Sequence, residues 1–117
     1  MPHFVIDCSQ ELLDQQPEME ILTHVHEVAV ASGLFDPGDI KVRLRPNSSY
    51  FVGGSLETRF IHVFADIMEG RSTEQKAALS KAVVEQLKAL FPDVPFIAMN
   101  VRDFEKATYA NLKTVAE

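Results

Sequence analysis

The amino-acid sequence predicts an α/β (α+β) fold, in which two tandem β-α-β units form a mainly parallel, four-stranded sheet with two helices on one face. A strand-like segment, an amphipathic helix and a second strand-like segment follow one another twice, in approximate repeats at residues 2–46 and 59–104. The chain has 117 residues, which is the length of one domain with one core. Right-handed crossovers between parallel strands place both helices on the same face of the sheet.

The first repeat begins with PHFVIDC at residues 2–8, where three large apolar residues in succession predict a strand. A helix follows, with Pro17 in its first turn and Gly33 at its C-terminal stop. Apolar residues recur on one face of this helix at Ile21, Leu22, Val25, Val28 and Ala29. Residues 40–46 alternate strictly between apolar and basic side chains, which predicts the second strand.

The second repeat has the same order. Residues 59–68 predict a third strand, and Ser72 and Gln75 have the spacing of a capping box at the start of a helix that Pro92 terminates. The buried stripe of that helix is predicted to contain Leu79, Val83, Leu87 and Leu90. Residues 95–104 predict the fourth strand, and the tail at 105–117 is either a short helix or an extended arm.

Composition excludes several classes of protein. The net charge of −6 argues against nucleic acid or an anionic membrane as a partner, and no apolar segment approaches the roughly 20 residues that span a bilayer. No secretory signal is visible, so a cytoplasmic protein is expected. The single cysteine, Cys8, excludes an internal disulfide and is expected to be an inert residue in a strand.

The predicted sheet has one face without helices. Apolar side chains such as Phe4, Ile6 or Phe64 on that face should not contact water, and the simplest cover is another subunit. The sequence therefore predicts a homo-oligomer.

Other residues do not predict a metal or cofactor site. His24 and His26 are two positions apart on a helix and do not share a face, and His62 is expected to be a core histidine with a hydrogen-bond partner. The VGGS segment lacks the strand–helix context of a phosphate-binding loop. No metal and no cofactor are predicted.

Two features have a structural and a functional interpretation. Pro2 suits a strand start because proline cannot donate to a sheet ladder, but removal of Met1 would also make it a free secondary amine. In the turn-rich segment at 45–57, Tyr50 and Phe51 either pack onto the core or form the apolar wall of a pocket. The residues alone leave both pairs of interpretations open.

A resemblance to a known family favours the functional interpretations. The segment EGRSTEQK resembles the strand-to-helix turn of 4-oxalocrotonate tautomerase, and PHFVIDCS, SGLFDPGDIKVRL and EGRSTEQKAAL together resemble the 5-carboxymethyl-2-hydroxymuconate isomerase family. That family is the trimeric, fused-repeat branch of the tautomerase superfamily, and the resemblance covers about the first hundred residues. It implies a tautomerase/MIF-like fold, a homotrimer and an isomerase that needs no cofactor.

The resemblance also implies roles for individual residues. Pro2, exposed by removal of Met1, corresponds to the general base, and Arg71 corresponds to the arginine that binds a substrate carboxylate. The second cation is Lys41 or Arg43, and Lys41 stands where arginine is more familiar. The expected substrate is a small anionic molecule, a 2-hydroxymuconate-type unsaturated polycarboxylic acid that is converted to its oxo isomer in aromatic-compound (homoprotocatechuate) degradation.

Two alternatives remain open at the level of the sequence. One is a hydratase, dehalogenase or decarboxylase acting on a small unsaturated acid, for which Asp66 and Glu69 lie near the critical turn. The other is a trimeric binding protein that has the fold without catalysis.

Overall fold

Each β-α-β unit contributes two neighbouring strands to one sheet in the computed structural model, which describes residues 1–116. The strands are β1 (His3–Ser9), β2 (Lys41–Asn47), β3 (Phe60–Met68) and β4 (Phe96–Phe104). The helices are α1 (Glu18–Ala31), α2 (Thr73–Leu90) and the short α3 (Leu112–Ala116). The predicted fold class is confirmed, and the four predicted strands differ from the observed ones by no more than about a residue at each end.

The strand order is β2-β1-β3-β4. β1 pairs with β2 in parallel and β3 pairs with β4 in parallel, as the two crossovers require. The two units meet through an antiparallel pairing of β1 with β3, in which His3 lies opposite Asp66. The sheet is therefore mixed, with the antiparallel pair at its centre.

The helix boundaries follow the local signals in the sequence. Pro17 is the N-cap residue of α1, and Gly33, with φ of 70°, follows the end of this helix in a conformation that glycine adopts without strain. Ser72 caps α2 through the predicted capping box, because its hydroxyl accepts from the Gln75 N–H while the Gln75 side chain accepts from the Ser72 N–H.

The core lies between the sheet and the two long helices. The sheet contributes alternate residues of β1 and β3, and the helices contribute the predicted apolar stripes. The core includes Phe4, Ile6, Cys8, Ile21, Val25, Ala29, Ile61, Val63, Ala65, Ile67, Leu79, Val83 and Leu87. The expectation that Phe4 and Ile6 lie on the bare face is wrong: strand alternation turns both toward the helices, where they are fully buried.

The opposite face of the sheet mixes aromatic and charged side chains. Phe64 lies there between the Arg102 guanidinium, 5.5 Å from its ring centroid, and the His62 ring at 4.4 Å. Arg102 also donates two hydrogen bonds to Asp66, at 2.9 and 3.2 Å. His62 is half-buried on this face rather than in the core, and its Nε2 lies 2.6 Å from the Asn100 Oδ1.

The tail beyond β4 is largely exposed. Tyr109 stacks on Phe104 at 5.1 Å, and the Lys106 N–H donates to the Glu69 carboxylate at 2.7 Å. α3 follows, with Leu112 and Val115 exposed to solvent. None of the helices formed by residues 1–116 combines the length and the hydropathy needed to cross a lipid bilayer.

Candidate active site

Three parts of the chain meet at one edge of the sheet, which we call the Pro2 edge: residues 1–2, Lys41 at the start of β2, and residues 68–71 after the end of β3. The Lys41 N–H donates to the Pro2 carbonyl at 3.1 Å. The Met68 N–H lies 3.3 Å from the Met1 sulfur, and Arg71 Nη1 donates to the Met68 carbonyl at 3.3 Å. Since β1 is parallel to β2 and antiparallel to β3, the starts of the first two strands and the end of the third necessarily meet here.

The Pro2 edge favours a neutral amine. Pro2 is fully buried. Burial lowers the pKa of the Met1 amino group that precedes it, and the Lys41 ammonium lowers this pKa further through a hydrogen bond and through its charge, against an opposing effect of Asp39. A terminal amine in this place is therefore neutral at a lower pH than one in water.

Arg71 is held at this edge by uncharged groups. It follows Gly70, whose φ of 121° lies in a region that disfavours side chains. Arg71 Nη2 donates to the Leu34 carbonyl at 2.7 Å, and its guanidinium lies 5.2 Å from the centroid of the Phe35 ring. Within residues 1–116, no carboxylate lies within ion-pair distance of Arg71, whereas Arg102 is paired with Asp66. The charge of Arg71 is thus available to an anionic ligand.

Lys41 and Arg43 share the helix-free face of β2. The Lys41 ammonium donates to the Asp39 carbonyl at 2.8 Å, and Arg43 Nη1 lies 3.0 Å from His3 Nδ1. A guanidinium can only donate, so His3 Nδ1 accepts and the ring is neutral. Burial and then the charge of Arg43 lower the pKa of His3 in agreement with this. Neither cation is paired with a carboxylate among the described residues.

Tyr50 and Phe51 lie at the other end of the sheet. The Tyr50 hydroxyl donates to Glu11 Oε1 at 2.9 Å and accepts from Arg59 Nη1 at 3.0 Å, and its ring is 5.2 Å from that of Phe60. β1 has seven residues, which span about 20 Å of strand. Within one chain, therefore, Tyr50 and the exposed Phe51 do not reach the Pro2 edge.

A groove of about 600 Å³ lies elsewhere, between α1 and α2. Its lining is mostly small or apolar, including Val28, Leu34, Ala78 and Ala82, and it contains none of the predicted site residues. Its one ionisable lining residue is Glu85, so it offers no cation for an acid. We therefore place the candidate active site at the Pro2 edge.

Two contacts of the site were not predicted from the sequence. Leu34 and Phe35, in the loop after α1, contact Arg71 across a separation of 37 and 36 positions in the sequence. No periodicity or motif relates this loop to the start of α2. The one available signal was Phe35 itself, a large apolar residue between Gly33 and Pro37 in a turn-rich segment.

Comparison with known proteins gives a consistent result. The family model described as 5-carboxymethyl-2-hydroxymuconate isomerase matches residues 2–111. The 5-carboxymethyl-2-hydroxymuconate Delta-isomerase of Escherichia coli is 24% identical over 92 residues, which are 78% of this chain and 73% of that protein.

Two solved structures show the same fold. A 5-carboxymethyl-2-hydroxymuconate isomerase from Deinococcus radiodurans R1 is similar with a TM-score of 0.81 and 23% identity, over 94% of this chain and 87% of the other. A fused 4-OT wild-type protein, described as a symmetric trimer, is similar with a TM-score of 0.78 and 19% identity, over 98% of this chain and 99% of the other.

Proposed function

This chain belongs to the 5-carboxymethyl-2-hydroxymuconate isomerase family, isomerases of the tautomerase superfamily, and we propose that it isomerises a 2-hydroxymuconate-type acid with Pro2 as its base. The substrate we propose is an unsaturated polycarboxylic acid from aromatic-compound degradation, such as 5-carboxymethyl-2-hydroxymuconate. The observation that carries the proposal is the presence of Pro2, Lys41 and Arg71 at one edge of the sheet, where the pKa of a terminal amine is lowered.

The proposed base is the secondary amine that Pro2 acquires when Met1 is removed. The neutral amine accepts a proton from the enol hydroxyl or from an allylic carbon of the substrate, and returns it to a carbon further along the conjugated chain. No electrons are transferred to an acceptor, so the reaction is balanced without a cofactor. Burial at this edge and the nearby Lys41 both disfavour protonation of the amine, as they do for the Met1 amino group.

The cations have a second role in this mechanism. Removal of the proton leaves a dienolate, whose negative charge is stabilised by positive groups that are already in place. Arg71 would bind a substrate carboxylate, and Lys41 or Arg43 would bind the other end of the acid. Lys41 provides a point charge, whereas the planar guanidinium of Arg43 can bind a carboxylate through two hydrogen bonds.

The acids that a hydratase or dehalogenase would need are already engaged. Asp66 accepts two hydrogen bonds from Arg102, and Glu69 accepts the Lys106 N–H. Both carboxylates therefore already have partners within the protein, which a water molecule would have to share. These contacts favour isomerisation over the sister reactions of the superfamily.

A trimer would complete the site. Since Tyr50 and Phe51 are about 20 Å from Pro2 along β1, they would form the apolar wall of the pocket only if another copy of the chain brought them there. The structural similarity to a fused 4-OT symmetric trimer supports this assembly. The helix-free face with Phe64 would then be covered by neighbouring subunits.

The test combines mass and activity. Mass spectrometry of the purified protein should show loss of Met1, and ultraviolet absorbance should show turnover within a panel of 2-hydroxymuconates. Pro2→Ala should lower kcat/KM by about 10²-fold, the scale of general-base catalysis. Pro17→Ala, at the N-cap of α1, is the matched control and should retain the rate. Retained Met1 in an active enzyme, or an unchanged rate in Pro2→Ala, would remove Pro2 from the mechanism.

A further inference from the structure

The loop after α1 forms a cradle for Arg71, consisting of the Phe35 ring and the Leu34 carbonyl. We propose that Phe35 is a positioning residue, which fixes the Arg71 guanidinium so that the enzyme discriminates in favour of substrates with a carboxylate at that end. This inference rests on the proposed function, since it concerns the selectivity of the same site.

The geometry leaves part of the guanidinium open. Arginine has five N–H donors in a planar fork. Two of its nitrogens each donate to a carbonyl, that of Leu34 at 2.7 Å and that of Met68 at 3.3 Å. The Phe35 ring lies 5.2 Å from the guanidinium carbon, within the range of a cation–π interaction. The orientation of the fork is thus set while N–H groups remain for a carboxylate.

The ring that holds Arg71 is itself fixed. Phe35 is 7% exposed, and it meets the fully buried Phe4 edge-to-face at a centroid distance of 6.0 Å. Phe4 lies on β1, two residues after Pro2. A short chain of packed aromatic rings therefore connects the strand that carries the proposed base with the proposed carboxylate-binding cation.

The chemistry of the cradle suits a ligand-binding cation. An aspartate or glutamate in the same place would orient Arg71 equally well, but it would neutralise the charge and compete with the substrate. The carbonyls and the ring interact with the guanidinium without carrying a formal charge. Arg59 and Arg102 are instead paired with carboxylates, those of Glu11 and Asp66 respectively.

The experiment compares two substrates in six proteins, which are the wild type, three single variants at Phe35 and Phe91, Arg71→Ala, and Arg71→Ala combined with Phe35→Leu. The substrates are 2-hydroxymuconate and the enol of an arylpyruvate ester, which has no carboxylate. Phe35→Leu removes the ring, Phe35→Tyr retains it, and Phe91→Leu is the matched control, because Phe91 is fully buried beyond the end of α2 and does not contact Arg71. Unfolding midpoints are measured for all proteins, so that activity is compared below them.

Phe35→Leu should raise KM for 2-hydroxymuconate and lower the selectivity for it over the ester by about threefold to tenfold, as expected from loss of a cation–π contact. Phe35→Tyr should retain the selectivity of the wild-type protein. Phe91→Leu should lower the stability of the fold and leave the selectivity unchanged. In an Arg71→Ala background, Phe35→Leu should have no further effect on selectivity. Equal selectivity in Phe35→Leu and Phe91→Leu, or an undiminished effect in the Arg71→Ala background, would overturn the proposal.

A binding measurement separates this proposal from the proposed reaction. Calorimetry with adipate, an unreactive dicarboxylate, should show weaker binding to Phe35→Leu than to Phe91→Leu whether or not the wild-type protein turns over 2-hydroxymuconate. If the wild-type protein does not turn over 2-hydroxymuconate but Phe35→Leu binds adipate more weakly than Phe91→Leu, the proposed reaction is contradicted and the role of Phe35 is not. Equal adipate affinity in the two variants, or no adipate binding by the wild-type protein, would overturn the role of Phe35.

Discussion

Replacing Arg71 with alanine tests whether its unpaired charge serves the substrate. A charge-assisted hydrogen bond contributes about 1.5–3 kcal/mol. Loss of one such contact in the transition state should therefore lower kcat/KM for 2-hydroxymuconate by about 10- to 100-fold. An arylpyruvate ester has no carboxylate to lose, so its kcat/KM should change much less.

The same substitution has a structural cost that must be kept apart from catalysis. The Leu34 and Met68 carbonyls each lose a donor, at about 0.5–1.5 kcal/mol per hydrogen bond, and Phe35 loses a cation–π contact of about 0.5–2 kcal/mol. The free energy of unfolding should fall by about 1.5–5 kcal/mol, which is no more than the low end of the stability of a typical domain. Thermal denaturation measures this loss and sets the temperature for the kinetic assays.

The assay is steady-state ultraviolet absorbance with both substrates, and Arg45→Ala is the matched control. Arg45 lies on the same face of β2 as Lys41 and Arg43, but further from the Pro2 edge, opposite Asp7 in register. Its loss should leave both rates within about twofold of wild type, the usual range of a surface charge. If Arg71→Ala reduced the rates with both substrates by the same factor, Arg71 would have a structural role and the carboxylate site would lie elsewhere.

Three further predictions concern the amine, the thiol and the assembly. Lys41→Ala should move the ascending limb of the kcat/KM–pH profile to higher pH. Loss of a neighbouring cation raises the pKa of the terminal amine, which must be neutral to act. The control Lys88→Ala should leave this limb unchanged, and an unchanged limb in Lys41→Ala would show that Lys41 does not lower the pKa of the base. Cys8 is 1% exposed, and burial raises its pKa to about 11. A disulfide reagent at pH 8 should therefore label Cys8 only as fast as the protein unfolds. Rapid labelling of the native protein would contradict the position of Cys8 in the core. Light scattering should give three times the chain mass of 13.1 kDa, whereas a stable monomer at micromolar concentration would argue against a shared site.

The secondary structure could be predicted because its signals are local. A short apolar run predicted β1, strict alternation predicted β2, and the Ser72–Gln75 spacing predicted the start of α2. The antiparallel pairing of β1 with β3 could not be predicted in this way, since periodicity within a strand carries no information about the direction of its neighbour. The same limitation misplaced Phe4 and Ile6, because a short apolar run does not show which of its residues face the helices. The limits of the repeats at 2–46 and 59–104 stay a prediction.

The residues of the candidate site were predicted from the family resemblance rather than from spacing, and the strand termini explain why they meet. Pro2, Lys41 and Arg71 meet because they stand at the starts of two parallel strands and after the end of an antiparallel one. The contact of Arg71 with Phe35 depends on how a loop folds back over the sheet, which no spacing encodes. Tyr50 could not be located for the same reason, and the structure places it with Glu11 and Arg59.

The antiparallel pair at the centre of the sheet places the starts of the two repeats at opposite ends, and only one of these ends has an amino terminus. It relates the two β-α-β units by an approximate twofold rotation, so that the start of β3 lies at the opposite end of the sheet from the start of β1. A polypeptide has one amino terminus however many repeats it contains, and the chain enters β3 at Phe60 through continuous peptide bonds. If the base is a terminal proline, an assembly of three such two-repeat chains has three bases. An assembly of six separate single-repeat chains contains the same number of repeats but would have six bases. The second end of each sheet therefore has no terminal amine of its own, and here it holds the hydrogen bonds among Glu11, Tyr50 and Arg59.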